Sequence, residues 1–261
     1  DATVLVQFPL GLVATAISFA ILPTLSSQYS VSDTQITEDR TLDAEHRILN
    51  TEHFRSTLAF GIKLVLLLIL PATVGLFILA RPIVALLFEH GAFTPVDTLA
   101  TATALQFYLL GLPFAAIDQP LVFAFYARKN TLLPNLVAFA GVAIYLVIAF
   151  ASVGSLGMIG LVMANSAMLT GHALLMLWFT HTRLGGLGKQ GVIAMTTKVI
   201  AASVVMGVVV FVILNMLGNA APLWQVLATT IPAGAVYVAL LRVLRVREAE
   251  RVWEMVLARV R

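Results

Sequence analysis

Seven apolar stretches, each long enough to cross a lipid bilayer as one helix, constrain this chain more than anything else in it. About 20 mostly apolar residues span a hydrocarbon core as an α-helix. The stretches run over 3–25, 57–80, 98–126, 132–153, 156–179, 192–217 and 223–241. Turn-forming residues such as Asn130, Gly154-Ser155, Gly185-Gly186 and Asn219 punctuate them. The runs are continuous and do not alternate with period two, so they predict helices and not a β-barrel. Composition agrees: 60% of the 261 residues are hydrophobic and 11% are charged, with a mean hydropathy of +0.97. A soluble domain is nearer half apolar and a quarter charged. The expected class is an all-α integral membrane protein.

The basic residues fix an orientation. With seven spans, alternate connections face the same side, and of the 16 lysines and arginines all but Arg81 fall on or near one side. That side collects Arg40, Arg47, Arg55, Arg128, Lys129, Arg183, Lys189 and the arginines after position 241. Lys63 and Lys198 lie within spans but close to it. Such asymmetry marks the cytoplasmic face, which puts the C-terminus in the cytoplasm. The net charge of +3 is therefore a topology signal, and nucleic-acid binding is not expected. With no cysteine, disulfides and thiolate chemistry are excluded. The chain opens on Asp1 and is apolar by Val4, without the basic start of a signal peptide, so it reads as a piece of a longer polypeptide.

Two segments do not span. Residues 28–55 form a polar connection with six acids and three arginines, expected to be partly helical towards its end. The tail 245–261 repeats Val246, Ala249, Val252-Trp253 and Val256-Leu257 at three-to-four spacing with arginines opposite, which predicts an amphipathic helix. It would lie along the membrane interface or pack on the ends of the spans.

Enzyme chemistry finds little support. Gly185-Gly186-Leu187-Gly188-Lys189 lacks the spacing of a phosphate loop, with Arg183 where the first glycine belongs and Gln190 where the hydroxyl belongs. Histidines 46, 53, 90, 172 and 181 show no metal-ligand spacing, and neither a cofactor nor a metal is expected. His172 lies inside a span, where a hydrogen bond to another helix is the default reading. Glu89-His90 precede Thr94-Pro95-Val96-Asp97, which reads as a capping box with proline at the first helical position. No catalytic residue is assigned.

Polarity and proline inside the spans stand out instead. Asp118-Gln119-Pro120 lies deep in the third span. An intramembrane carboxylate costs several kcal/mol unless paired, hydrated or protonated, so it is a functional candidate by default. The bland reading is a structural aspartate paired with Arg81 or set at the interface. Gln7, beside Pro9, is the second polar candidate, and Pro9, Pro71, Pro120 and Pro232 are candidate kinks.

Several motifs occur in order: Gln7-Phe8-Pro9-Leu10-Gly11 with Ala20-Ile21-Leu22-Pro23-Thr24-Leu25-Ser26, Phe54-Arg55-Ser56-Thr57, Leu70-Pro71-Ala72, the turn from Leu87 to Asp97, and Phe125-Tyr126-Ala127-Arg128 followed by Pro134. Together they resemble the bacterial lipid II flippase family of the MOP exporter superfamily. The resemblance implies spans eight to fourteen of a two-lobed transporter. It divides the chain into five C-lobe spans (1–182, with the loop 28–55), two additional spans (183–243) and a cytoplasmic amphipathic tail (244–261). It further implies alternating-access flipping of an undecaprenyl-linked peptidoglycan precursor across the plasma membrane, with the headgroup in a central cavity and the lipid tail near the last two helices. Asp118, Gln119 and Gln7 would then face substrate or cavity, and the partners would be membrane lipids and either a missing first lobe or other membrane subunits. One departure matters: where the family often carries Asp-Arg before the Phe-Pro, this chain has Thr3-Val4, and Gln7 replaces the following acid. Phosphate-binding charges are then expected in the other half, unless the activity is lost. The alternatives are a non-transporting subunit or scaffold of a larger membrane complex, or a related exporter of another substrate.

Overall fold

A computed structural model describes residues 2–34, 40–218 and 220–250, and it is helical with no strand among them. Seven helices are long and apolar enough to cross a membrane: Ala2–Ser27, Thr51–Ile78, Pro95–Ala127, Leu132–Leu156, Met158–Leu184, Val192–Leu217 and Pro222–Val243. They coincide with the seven stretches above. The first begins as α1 (Ala2–Pro9), widens into a π-helical segment (Leu10–Thr15) directly after Pro9, and continues as α2 (Ala16–Thr34). Helical backbone persists through Pro71, Pro113, Pro120 and Pro232.

The polar connection is more helical than its composition suggests. Helix α3 starts at Arg40 and continues through the second span to Ile78. The reason is local: residues 40–50 are rich in Leu, Ala, Glu and Arg, with neither glycine nor proline to stop a helix. Leu79 interrupts the helix, α4 (Ala80–Phe88) follows, and a turn through Gly91 leads to α5 (Pro95–Ala127). Thr94 caps α5 as predicted: Asp97 N–H donates to Thr94 Oγ1, and Thr94 N–H donates to Asp97 Oδ2 at 2.9 Å. Glu89 accepts a hydrogen bond from Thr98 Oγ1, which gives it a role in the same turn.

Helices α6 (Leu132–Leu156) and α7 (Met158–Leu184) are joined by Gly157 alone. Helix α7 ends on Gly185 in the left-handed region at φ +77°, with the Arg55 side chain against it. Arg55 Nε–H donates to the Leu184 carbonyl, placing a cation at the negative end of the α7 dipole. A Cβ at residue 185 would both strain the backbone and overlap the guanidinium. Gly185→Val is therefore expected to cost about 2 kcal/mol or more, read as a lowered unfolding temperature in detergent.

Helix α3 organises the core. Its Val65 and Ile69 join Ala2, Val6, Leu105, Leu109 and Val84 in one apolar cluster. Its Leu58, Ile62 and Leu66 meet Leu25, Leu121, Phe125 and Met176 in a second. Its Leu67 faces a third, built from Val199, Met206 and Val210 of α8 (Val192–Leu217) and Ala233 and Tyr237 of α9 (Pro222–Val243). The last two helices thus pack on one flank of α3. Two polar contacts pin them to α3, and a third ties α8 to the end of α9. Tyr237 Oη–H donates to the Leu67 carbonyl at 2.6 Å, Lys198 Nζ–H to the Leu244 carbonyl at 2.9 Å, and Lys63 pairs with Glu248 at 2.7 Å. Val246 is buried and Ala249 packs beside it, so the described start of the tail lies on the bundle; residues 251–261 lie outside the described residues.

Lys63 and Glu248 are each about 15% exposed, so breaking the pair is costly. Lys63→Glu is expected to destabilise by about 3 kcal/mol, the penalty typical of a broken buried pair. The double change with Glu248→Lys should recover most of it, and equal unfolding temperatures for the single and double variants would contradict the pairing.

Candidate functional site

The polar centre of the bundle forms where α5 and α7 cross closely. Gly111 of α5 lies so near Ser166 of α7 that a Cβ there would come within 2.9 Å of the Ser166 Cα. Ser166 Oγ–H donates to the Phe107 carbonyl at 2.6 Å, tying the helices together at the same level. Small residues permit this approach, as is usual between helices in lipid. Both helices run towards the basic end of the molecule, so their register advances together. About two turns beyond the Gly111–Ser166 contact it brings Asp118 against His172.

His172 Nδ1 and Asp118 Oδ1 are 2.9 Å apart, and the two side chains are 17% and 16% exposed. Gly141 of α6 completes the wall: a Cβ on it would lie 3.7 Å from His172 Cδ2. The aspartate therefore pairs with neither Arg81 nor solvent alone but with an imidazole on another span. Pro120, buried two residues on, has no N–H to give the Ala116 carbonyl. This leaves α5 with one helical hydrogen bond fewer beside the carboxylate.

The other predicted positions lie apart from the pair. Gln119 is half-buried and Gln7 is exposed on α1; no hydrogen bond joins either to Asp118 or His172. Residues Thr3, Thr101, Tyr108, Tyr145 and Asn165 line a cavity of 380 Å³ among α1, α5, α6 and α7. Val4, the other half of the Thr3-Val4 departure, is 64% exposed. A larger apolar cavity of 650 Å³ opens among α3, α5, α7 and α8, walled by Leu66, Leu70, Ile117, Leu177 and Ile200 with His181 at its edge. Among the described residues, no three His, Asp or Glu side chains converge as a metal site.

His172 was visible in the sequence as an intramembrane histidine, but its partner was not. Its spacing from Asp118 carries no periodic signal, because the two meet through tertiary register. The chemistry available at the pair is proton exchange and hydrogen-bond switching.

The probable lipid II flippase MurJ of Rickettsia prowazekii is 35% identical over 128 residues, covering 49% of this chain and 22% of that protein. The corresponding Rhizobium meliloti protein is 28% identical over 222 residues, covering 83% of this chain and 38% of its own length. Among solved structures, lipid II flippase MurJ in an inward closed conformation superposes with a TM-score of 0.72 at 25% identity, covering 92% of this chain and 44% of that one. The chain thus spans less than half the length of each of these proteins. The model of the family described as lipid II flippase MurJ matches residues 1–231, and the chain belongs to that family.

Proposed function

We propose that this chain forms the C-terminal part of a flippase that moves a lipid-linked peptidoglycan precursor across the plasma membrane by alternating access. The family match over residues 1–231 is the observation that carries the reading. The inward closed relative superposes over 92% of the chain, which supports a transporter half built on the same helices. The basic end, where Arg55, Lys63 and Lys198 gather, would face the cytoplasm. The apolar 650 Å³ cavity beside α8 offers a surface on which a polyprenyl tail could lie. The division into five C-lobe spans, two further spans and a tail fits the way α8 and α9 attach to α3.

Growth of cells depleted of their own lipid II flippase tests the proposal. The gene encoding this sequence is expected to restore growth, and failure at normal membrane abundance would reject it. A second reading draws on Thr3 and Val4, which place no charge where relatives often carry Asp-Arg: a non-transporting subunit of a larger membrane complex. Stoichiometric co-purification with unrelated membrane proteins, together with absent growth rescue, would favour that reading.

A further inference from the structure

We propose that Asp118 and His172 form a proton-binding site inside the membrane, whose occupancy sets whether α5 and α7 stay closed against each other. The inference rests on the transport reading for its role in a cycle, but the site itself stands on geometry. The two groups are 2.9 Å apart on different spans and largely shielded by protein. Counting along the helices puts Asp118 about 14 Å and His172 about 18 Å from the basic ends of α5 and α7. Both depths fall within a hydrocarbon core about 30 Å thick.

The charge of the pair decides its behaviour. A neutral imidazole beside an ionised carboxylate carries one net negative charge. Binding one proton makes the pair neutral, as imidazolium with carboxylate or as imidazole with carboxylic acid. The two neutral forms differ only in which partner holds the proton. A lone negative charge in hydrocarbon is costly, whereas a neutral hydrogen-bonded pair is far less so. The protonated pair can therefore be occluded between α5 and α7, and the deprotonated pair needs water at the carboxylate. Release of the proton favours parting of the helices, and the weakened turn at Pro120 is where α5 yields most easily.

Neighbouring ionisable groups are engaged elsewhere. Lys63 of α3 pairs with Glu248, and Arg55 holds the end of α7. Glu89, beside α4, accepts from Thr98, and Asp97 is held in the cap of α5. Tyr108 of α5 and Tyr145 of α6 line the 380 Å³ cavity. Arg81 lies in the first turn of α4; His181 and Arg183 lie about two and a half and three turns beyond His172 on α7, and Tyr126 and Arg128 lie at a similar remove from Asp118. From α6 the Pro134 backbone and Gly141 meet the imidazole. The first span through Ser27 brings no ionisable side chain.

Histidine nitrogen resonances tell the outcomes apart. The full gene product, labelled with ¹⁵N-histidine and held in lipid nanodiscs, would be titrated from about pH 5 to about pH 9, the range in which histidine charge normally changes. The His172 signal is identified by its loss in His172→Gln. One protonation step at His172 is expected, with its midpoint displaced by at least tenfold in proton concentration in Asp118→Asn. A His172 signal that does not respond to pH, or a step untouched by Asp118→Asn, would overturn the site. In proteoliposomes containing the lipid-linked precursor, the flipping rate should follow pH through the same step and lose that dependence in His172→Gln. Unchanged pH dependence in that variant would overturn the coupling. If Asp118→Asn does not fold, Asp118→Ser gives the same comparison of the His172 midpoint. A normal titration with no flipping at any pH would reject the transport reading while leaving the proton site established.

Discussion

Replacing Asp118 by alanine is expected to abolish growth rescue of flippase-depleted cells while leaving the protein in the membrane. The change removes the acceptor that His172 meets at 2.9 Å and leaves the imidazole with a neutral methyl group in front of it. Losing one partner of a partly buried hydrogen-bonded pair costs about 1–3 kcal/mol. A domain of ordinary stability, about 5–15 kcal/mol, survives such a loss. The effect on growth should therefore far exceed the effect on unfolding temperature. His172→Ala should have a similar effect, and the double variant should be no worse than either single one, because the two groups act together. Normal growth of Asp118→Ala at normal protein levels would remove the pair from the mechanism. Loss of the protein from the membrane would instead identify the pair as structural.

Replacing Gly111 by leucine is expected to have the largest effect on stability of any single change considered for this bundle. Even a Cβ at that position would approach the Ser166 backbone to 2.9 Å, and a backbone atom cannot rotate away as a side-chain tip can. Overpacking typically costs about 1–3 kcal/mol and sometimes more. Here the helices must also separate, which breaks the Ser166 to Phe107 hydrogen bond and shifts the register that places His172 against Asp118. The predicted outcome is poor membrane yield and a much lower unfolding temperature in detergent. Gly154→Leu is the control: no atom lies within 4 Å of a Cβ there, and the residue sits on an exposed face of α6. Equal losses for the two variants would mean that the close crossing of α5 and α7 is not what holds the bundle together.

Both predictions depend on contacts that a multi-pass protein of the bacterial inner membrane cannot advertise in its sequence. In water, the apolar face of a helix marks its buried side. In lipid, both the packed face and the bilayer face are apolar, so periodicity does not distinguish them. Phe139 and Phe150 on α6 are 74% and 80% exposed, while Phe125 on α5 is 2% exposed, and nothing in their local sequence separates them. Small residues carry more information: Gly111, Gly141 and Ser166 all sit where helices meet, though Gly154 and Gly234 face open space.

Seven spans, their limits to within about six residues, the gathering of basic residues at one end and the Thr94–Asp97 cap were all determined by the sequence by itself. The physical reason is that each depends on length, hydropathy or a hydrogen bond across three residues. An intramembrane Asp118 was equally plain, because a carboxylate in a long apolar run has no local remedy for its cost. Its remedy was decided only by the tertiary structure. The Gly111–Ser166 crossing sets α5 and α7 in register and brings His172 to the carboxylate from 54 residues away. The same holds for the attachment of the last two helices, where Tyr237 reaches Leu67 across 170 residues and Glu248 reaches Lys63 across 185. Such pairings follow from how helices pack in three dimensions, and neither hydropathy nor spacing along the chain records them.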